Sequence, residues 1–239
     1  MPCETCECPF QTIRPAQGTL ADVDTECMLR DAVQPVTFGD GEMLFLEGDR
    51  SHCLYAVTDG MVKICRHGSN GREQIVGISC PERLLVGLQS INDEHYAYTA
   101  IAATEVRACK VNHRALLERV RHAGDVAMRL IDAMNAQLAH SRALMEVLGQ
   151  RCAAAKIAAF ILLMTPKSEH GNCRFTLPFS RMEMASILGL SEETVCRLMA
   201  NLKRAGAIYA PRGKIEILDW NRLRGIAEGG APAAVRLAG

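Results

Sequence analysis

The sequence predicts an α+β fold: an N-terminal antiparallel β-roll, a long helix suited to pairing, and a C-terminal winged helix–turn–helix. Three observations predict it. Between Val36 and Val111, short apolar runs alternate with glycine turns. Between Ile131 and Leu148, apolar residues recur at spacings of 3, 4, 3, 4, 3 around a single serine. From Ser180 to Gly206, two amphipathic helices flank a glycine turn, and a strand–turn–strand follows. The expected divisions are a leader at 1–30, a roll at 31–112, a pairing helix at 113–150 and a winged domain at 151–239.

The chain has 239 residues, is 49% hydrophobic and carries no net charge. That suffices for one large or two modest domains. Met1–Gly18 lacks a basic n-region and an apolar h-region, and no apolar run reaches membrane-spanning length. A cytoplasmic protein without a membrane partner is expected. Eleven cysteines at irregular spacing do not form a disulfide framework.

The leader is rich in cysteine (Cys3, Cys6, Cys8) and poor in apolar periodicity. Thr19–Arg30 is a short helical candidate with Thr19 able to cap it. In the roll, Gly39-Asp40-Gly41 precedes the strand Met43–Phe45, and Glu47-Gly48-Asp49 ends it. Leu54–Val57 runs to Asp59-Gly60, then Met61–Ile64. Ser69-Asn70-Gly71 is a hairpin signal answered by Gln74–Ile78. Tyr98–Ala103 and Glu105–Val111 complete a compact antiparallel roll.

Ala115–Met164 reads as helical. Ile131, Met134, Leu138, Ser141, Met145 and Leu148 form a narrow a/d seam between polar flanks, the pattern of a two-stranded homodimer; packing against the chain's own roll is the alternative. Ser141 weakens the seam, and Gly149 marks a bend or hinge. His113, His122 and His140 read as helix-surface residues. Cys53, Cys65, Cys80, Cys152 and Cys173 read as buried small hydrophobes.

In the hairpin, Met184, Ile187 and Leu188 face inward on the first helix. Gly189 permits the turn and Ser191 caps the second helix. Val195, Leu198 and Leu202 face inward there, opposite Glu192, Glu193, Cys196, Arg197 and Asn201. Ile208–Ala210 and Lys214–Leu218, around Pro211-Arg212-Gly213, read as a wing. Leu177–Ile226 holds eight basic and five acidic residues, a local charge of +3. That bias suits a sequence reader on double-stranded DNA better than a non-specific coat. A Gly-rich phosphate loop, G-x-S-x-G and H-E-x-x-H are all missing from the sequence, so an enzyme is not expected. A roll that binds a small molecule without acting on DNA is the remaining non-enzymatic alternative.

The order of parts, with F-G-D-G-E-M-L-F-L-E-G-D, L-Y-A-V-T-D-G-M-V-K-I and S-R-x-E-M-A-x-x-L-G-L-S-x-E-T-V-C-R-L, resembles the CRP/FNR superfamily of bacterial transcription regulators over Val36–Ile226. E-T-V-C-R is similar to the E-x-x-S-R recognition helix of the FNR/FixK branch. The resemblance implies a homodimer on a TTGAT-type palindrome, with RNA polymerase as a partner through roll loops such as Pro81–Gly87. It implies that Glu193 accepts from cytosine and that Arg197 donates to guanine or a phosphate. Arg181 contacts phosphate and sets register, with Ser191, Thr194 and Cys196 on the same face.

Three signals stand open. A cyclic nucleotide is disfavoured, because the matching segment Pro81–Gly87 and Tyr96–Thr99 has no arginine on the strand that would hold the phosphate. A [4Fe–4S] cluster is implied by resemblance to FNR-type sensors, with Cys3, Cys6, Cys8 and Cys109 as ligands. The leader departs from that pattern, since Gln11–Glu26 contains no cysteine where the family places its third. Direct oxidation of Cys196, beside Arg197 and close to a helix N-terminus, is the third.

Overall fold

The computed structural model describes residues 33–68, 73–79, 85–88, 93–122, 124–166, 173–211 and 213–229. The leader with Cys3, Cys6 and Cys8, the Thr19–Arg30 helical candidate, the Ser69–Gly71 hairpin turn, Cys80 and Arg212 lie outside them. The chain divides into two compact units, Met1–Ala139 and His140–Gly239.

In the first unit, eight strands form two antiparallel four-stranded sheets: β1 (Val33–Phe38), β2 (Met43–Phe45), β3 (Cys53–Asp59), β4 (Val62–His67), β5 (Glu73–Ser79), β6 (Leu85–Val86), β7 (Thr99–Ala102) and β8 (Val106–Asn112). Their orders are β1-β8-β3-β6 and β2-β7-β4-β5. Pro35 falls on β1, an edge strand, where its missing N–H costs no internal ladder bond. β3 and β8 pair centrally and are apolar on both faces. Tyr55, Val57, Val106 and Ala108 point into the roll with Phe45 and Val62. Leu54, Ala56, Cys109 and Val111 point the other way, into a second cluster completed by helices. Burial on two faces replaces the alternation of a one-sided strand with a continuous apolar run. Gly60 turns β3 into β4 at φ +85°, and a Cβ there would fall 2.1 Å from the Glu105 carbonyl oxygen. Only glycine fits that turn.

The described part of the helical stretch expected from Ala115 comprises α1 (His113–His122), α2 (Gly124–Gly149) and α3 (Ala153–Leu163), with α3 starting beyond Gly149, where the sequence marks a bend or hinge. The Asn112 side chain caps α1 by accepting from the Ala115 N–H at 3.2 Å. Val126, Leu130 and Ala133 of α2 pack on the roll with Leu116 of α1. They form one face at i, i+4, i+7. Ile131, Met134, Leu138, Met145 and Leu148 are 39–59% exposed, so the seam residues are not those used against the chain's own roll. Met128, 58% exposed and three residues before Ile131, carries the apolar row further toward the helix start than the spacing predicted. Ser141 is exposed as well. His113 corrects the surface reading: it is 6% exposed, because Ser51, His52 and α1 close around it.

In the second unit, α4 (Arg181–Leu188), α5 (Glu192–Arg204) and α6 (Trp220–Ala227) pack with α3 beside a three-stranded sheet. That sheet has the order β10-β11-β9, from β9 (Arg174–Thr176), β10 (Ile208–Tyr209) and β11 (Lys214–Ile217). β10 and β11 are the expected wing; β9 and α6 are additions to the sequence reading. Phe160 and Ile157 of α3, Met184 and Leu188 of α4, Val195 of α5 and Leu223 of α6 are fully buried. Phe160 meets Phe179 at 6.1 Å between ring centroids. Cys65 and Cys173 are buried as expected, but Cys53 is half-buried. Cys152 is exposed at the N-cap of α3, where the chain leaves α2 and no core residue covers it. Among the described residues, no helix is long and apolar enough to cross a membrane.

Candidate nucleic-acid interface

The hairpin is built by local chemistry. Ser180 accepts from the Glu183 N–H at 3.1 Å, and the Glu183 carboxylate accepts from the Ser180 N–H at 2.8 Å. This capping box satisfies two otherwise unpaired donors and fixes where α4 begins. Gly189 ends α4 in the left-handed region at φ 64°, a conformation an L side chain rarely adopts. Two residues later, Ser191 caps α5 by accepting from the Thr194 N–H at 3.2 Å, and its hydroxyl meets the Thr194 hydroxyl at 2.8 Å. Ser180→Ala should cost about 1 kcal/mol of stability through the lost cap. Urea unfolding of the variant checks this, and an unchanged midpoint would remove the capping box from the account.

Helix α5 buries Val195, Met199 and Leu202. Leu198 is only half-buried, which corrects the expected inward set by one position. At 3.6 residues per turn, positions 198 and 199 lie about equally far on either side of the line through 195 and 202, so spacing alone does not choose between them. The outward face presents Glu192, Glu193, Cys196 and Arg197, all exposed, with Thr194 half-buried at its margin. Glu193 and Arg197 are one turn apart on that face.

The cations of this unit are not equally available. The Arg222 guanidinium donates to the Ala205 carbonyl at the end of α5 and lies 3.5 Å from Asp219. Arg224 stacks over Trp220 at 5.5 Å. Arg174 pairs with Glu216 at 2.9 Å, and Arg204 donates to Asn201. The guanidinium of Arg181 lies 3.3 Å from the Met184 sulfur, a weak contact that a phosphate can displace. The side chains of Arg197, Lys203 and Lys214 make no hydrogen bond or ion pair with other described residues. Among the described residues, the free charges behind the local +3 are therefore a smaller set on α5 and the wing, with Arg222 holding the end of α5.

Of the four candidate cluster ligands, only Cys109 falls on described residues. It is 2% exposed, on the helix-facing side of β8 among Leu54, Ala56, Leu85, Val111 and Leu116. Among the described residues there is no group of three or more His, Cys, Asp or Glu side chains that could hold a metal ion.

A roll, a long helix with one apolar row left uncovered, and a winged helix–turn–helix with a polar recognition face define a DNA-binding transcription regulator. Comparison with known proteins agrees. The cyclic nucleotide-binding domain family matches residues 35–122 and the Crp-like helix-turn-helix domain family residues 155–226. The nitrogen fixation regulation protein FixK of Bradyrhizobium diazoefficiens is 32% identical over 197 residues, covering 80% of this chain and 81% of the relative. The transcriptional activator protein FnrA of Stutzerimonas stutzeri is 30% identical over 196 residues, covering 81% and 80%. The solved structure of FixK2 from Bradyrhizobium japonicum matches with a TM-score of 0.70 at 25% identity, covering 81% of this chain and 96% of that chain. The chain belongs to the CRP/FNR superfamily, in its FNR/FixK-like branch. This is a family of transcription regulators, not enzymes.

Proposed function

We propose that the protein is a homodimeric regulator that reads a TTGAT-type palindrome and alters transcription in response to oxygen or redox state. The observation that carries this reading is the exposed face of α5, where Glu193, Cys196 and Arg197 stand together above a buried Val195–Met199–Leu202 face. Glu193 reads cytosine and Arg197 guanine or phosphate, while Arg181, Ser191 and Thr194 set the register on the backbone. Two copies joined through Ile131, Met134, Leu138, Ser141, Met145 and Leu148 place the two α5 helices about 34 Å apart, one turn of DNA. DNA-bound protein recruits RNA polymerase through exposed roll loops, in the cytoplasm. A gel shift with a TTGAT-N4-ATCAA duplex tests the reading: no sequence-dependent shift would sink it and leave a roll that binds a small molecule without acting on DNA.

The redox input is assigned to Cys196. Its thiol is exposed on the DNA-facing side, in the second turn of α5 and next to Arg197. Two equivalents of hydrogen peroxide convert the thiolate to a sulfinate and release two waters, which leaves a fixed negative charge where DNA phosphates approach. Cys196→Ser should bind DNA as wild type does and lose the peroxide sensitivity of that binding. Equal sensitivity in the variant would overturn the assignment. A [4Fe–4S] cluster on Cys3, Cys6, Cys8 and Cys109 is the competing reading. Iron and sulfide assays on anaerobically purified protein decide it.

A further inference from the structure

Helix α5 ends on a glycine joint that is also the root of the wing. After Arg204 the chain runs through Ala205 to Gly206, which takes the left-handed backbone at φ +67°. The Gly206 N–H donates to the Lys203 carbonyl at 2.9 Å and the Ala207 N–H to the Leu202 carbonyl at 3.1 Å, closing the last turn. Ala207 leads directly into β10. Its carbonyl accepts from the N–H groups of Leu218 at 3.0 Å and Asp219 at 3.2 Å, where the chain returns from β11. The end of α5 and both legs of the wing therefore meet within a few residues.

Arg222, in the first turn of α6, spans this junction. Its guanidinium donates through Nη1 to the Ala205 carbonyl, at the negative end of the α5 dipole. The same nitrogen lies against Gly206, where a Cβ would fall 3.4 Å from it. Asp219 steadies the arginine from the other side. One carboxylate oxygen caps α6 by accepting from the Arg222 N–H at 2.9 Å, and the other lies 3.5 Å from Arg222 Nε. One side chain thus ties α5, the wing root and α6 together. The Arg222 and Asp219 side chains are 50% and 39% exposed, and ion pairs that open to water contribute little to stability. The fold at this junction rests instead on Leu202, Ile208, Ile217 and Leu223, none more than 3% exposed. A clamp that carries little of the fold but joins the reading helix to the wing acts on geometry.

We propose that Arg222, held by Asp219, is a positioning residue for DNA recognition: it fixes the angle of α5 against the wing, so that Glu193 and Arg197 meet base edges while Lys214 of the wing stays at the backbone. This rests on the exposed face of α5 being the reading face. A recognition site needs its groups held to within about 0.5 Å and 10–20°. Without the clamp, the end of α5 pivots at Gly206 and that tolerance is lost. Non-specific binding needs cations near phosphates and tolerates the pivot; sequence reading needs register and does not. Arg222 touches no base, since its donors are engaged by Ala205 and Asp219.

Fluorescence anisotropy of the full-length protein on the TTGAT-N4-ATCAA duplex and on a scrambled duplex, across a range of salt, tests this. Urea unfolding of each variant scales the affinities to the folded fraction. Arg222→Met keeps the aliphatic stem and removes the donors. It should lower the ratio of the two affinities about tenfold, the scale of one base contact, with the salt slope unchanged. Arg222→Lys keeps a cation for the Ala205 carbonyl and should restore most of the ratio. Asp219→Asn keeps a cap on α6 but loses the carboxylate, and should lower the ratio less than Arg222→Met does. Arg222→Met added to Arg197→Ala should lower the ratio no further, because both act through the same contact. An unchanged ratio in Arg222→Met, with only the unfolding midpoint lowered, would make Arg222 a structural residue and overturn the proposal. Equal losses on both duplexes with a shallower salt slope would make it a phosphate contact and overturn the proposal as well. A wild type that does not discriminate between the duplexes takes down the reading face and the clamp together, whereas discrimination shared equally by the wild type and Arg222→Met takes down the clamp alone.

Discussion

Leu138→Glu is expected to give a folded monomer that no longer shifts the palindromic duplex at concentrations where the wild type is fully bound. The argument begins with what the single chain leaves uncovered. Leu138 is 47% exposed, in a row with Ile131 at 48%, Met134 at 50% and Met145 at 59%. Fully burying such a side chain against a second copy stabilises the dimer by about 1.5–3 kcal/mol. A carboxylate at the same place must instead be desolvated without a partner, which costs several kcal/mol. The substitution enters both copies, so each seam suffers it twice. Folding should survive, because Val126, Leu130 and Ala133, not Leu138, hold α2 to the roll. DNA affinity falls further than the dimer constant alone suggests: a monomer contacts one half-site and loses the contribution of the other. Sedimentation velocity and fluorescence anisotropy on one preparation check both parts. A Leu138→Glu protein that remains dimeric would exclude the seam. The row also contains no acidic residue. Wild-type protein free of any cluster should therefore still show dimer, and sedimentation of that protein only as monomer would contradict this.

The helix–turn–helix was legible because its boundaries are set by residues close in sequence. Ser180 with Glu183, Gly189 and Ser191 each act within one turn of the backbone they satisfy. The roll was legible for a similar reason: its turns carry glycine, and β3 and β8 are apolar enough to be strands by composition. What the sequence hid depends on distant partners. β9 is three residues long and exists through its register with β11, Phe175 opposite Ile215. α6 is eight residues whose inward face is Leu223, Ile226 and Ala227, too few to establish a period. His113 read as a surface residue because its cover comes from Ser51 and His52, sixty positions earlier. Cys152 read as core because a cysteine at the edge of an apolar helix has the same local pattern whether inside or at the cap. In the candidate site, Glu193, Cys196 and Arg197 were legible as one face, and helical spacing alone placed them there. The role of Arg222 was not, because its acceptor is a backbone carbonyl seventeen positions away.

Arg197→Ala is expected to abolish discrimination between the TTGAT-type palindrome and a scrambled duplex while leaving residual non-specific binding. Arg197 stands on the exposed face of α5, one turn after Glu193, and its side chain makes no hydrogen bond or ion pair with other described residues. Its removal therefore leaves no internal group unpaired, and stability should change by no more than about 0.5 kcal/mol. A guanidinium on a guanine edge contributes about 1–3 kcal/mol of discrimination. A two-fold symmetric dimer uses it in both half-sites, so the combined loss approaches the whole specificity margin of a weak reader, which begins at about 4 kcal/mol. Non-specific binding should fall less, because Lys203 and Lys214 remain as free cations on the same unit. The salt dependence separates two roles for Arg197. If it reads a base, the slope of log affinity against log salt stays nearly constant while the sequence ratio collapses. If it holds a phosphate, affinity for both duplexes falls together and each half-site loses roughly one unit of slope. Glu193→Ala gives the complementary measurement: a carboxylate accepting from cytosine contributes sequence choice and repels phosphate, so its loss should relax specificity without weakening non-specific binding. Retained discrimination in Arg197→Ala would move the reading face off this turn of α5 altogether.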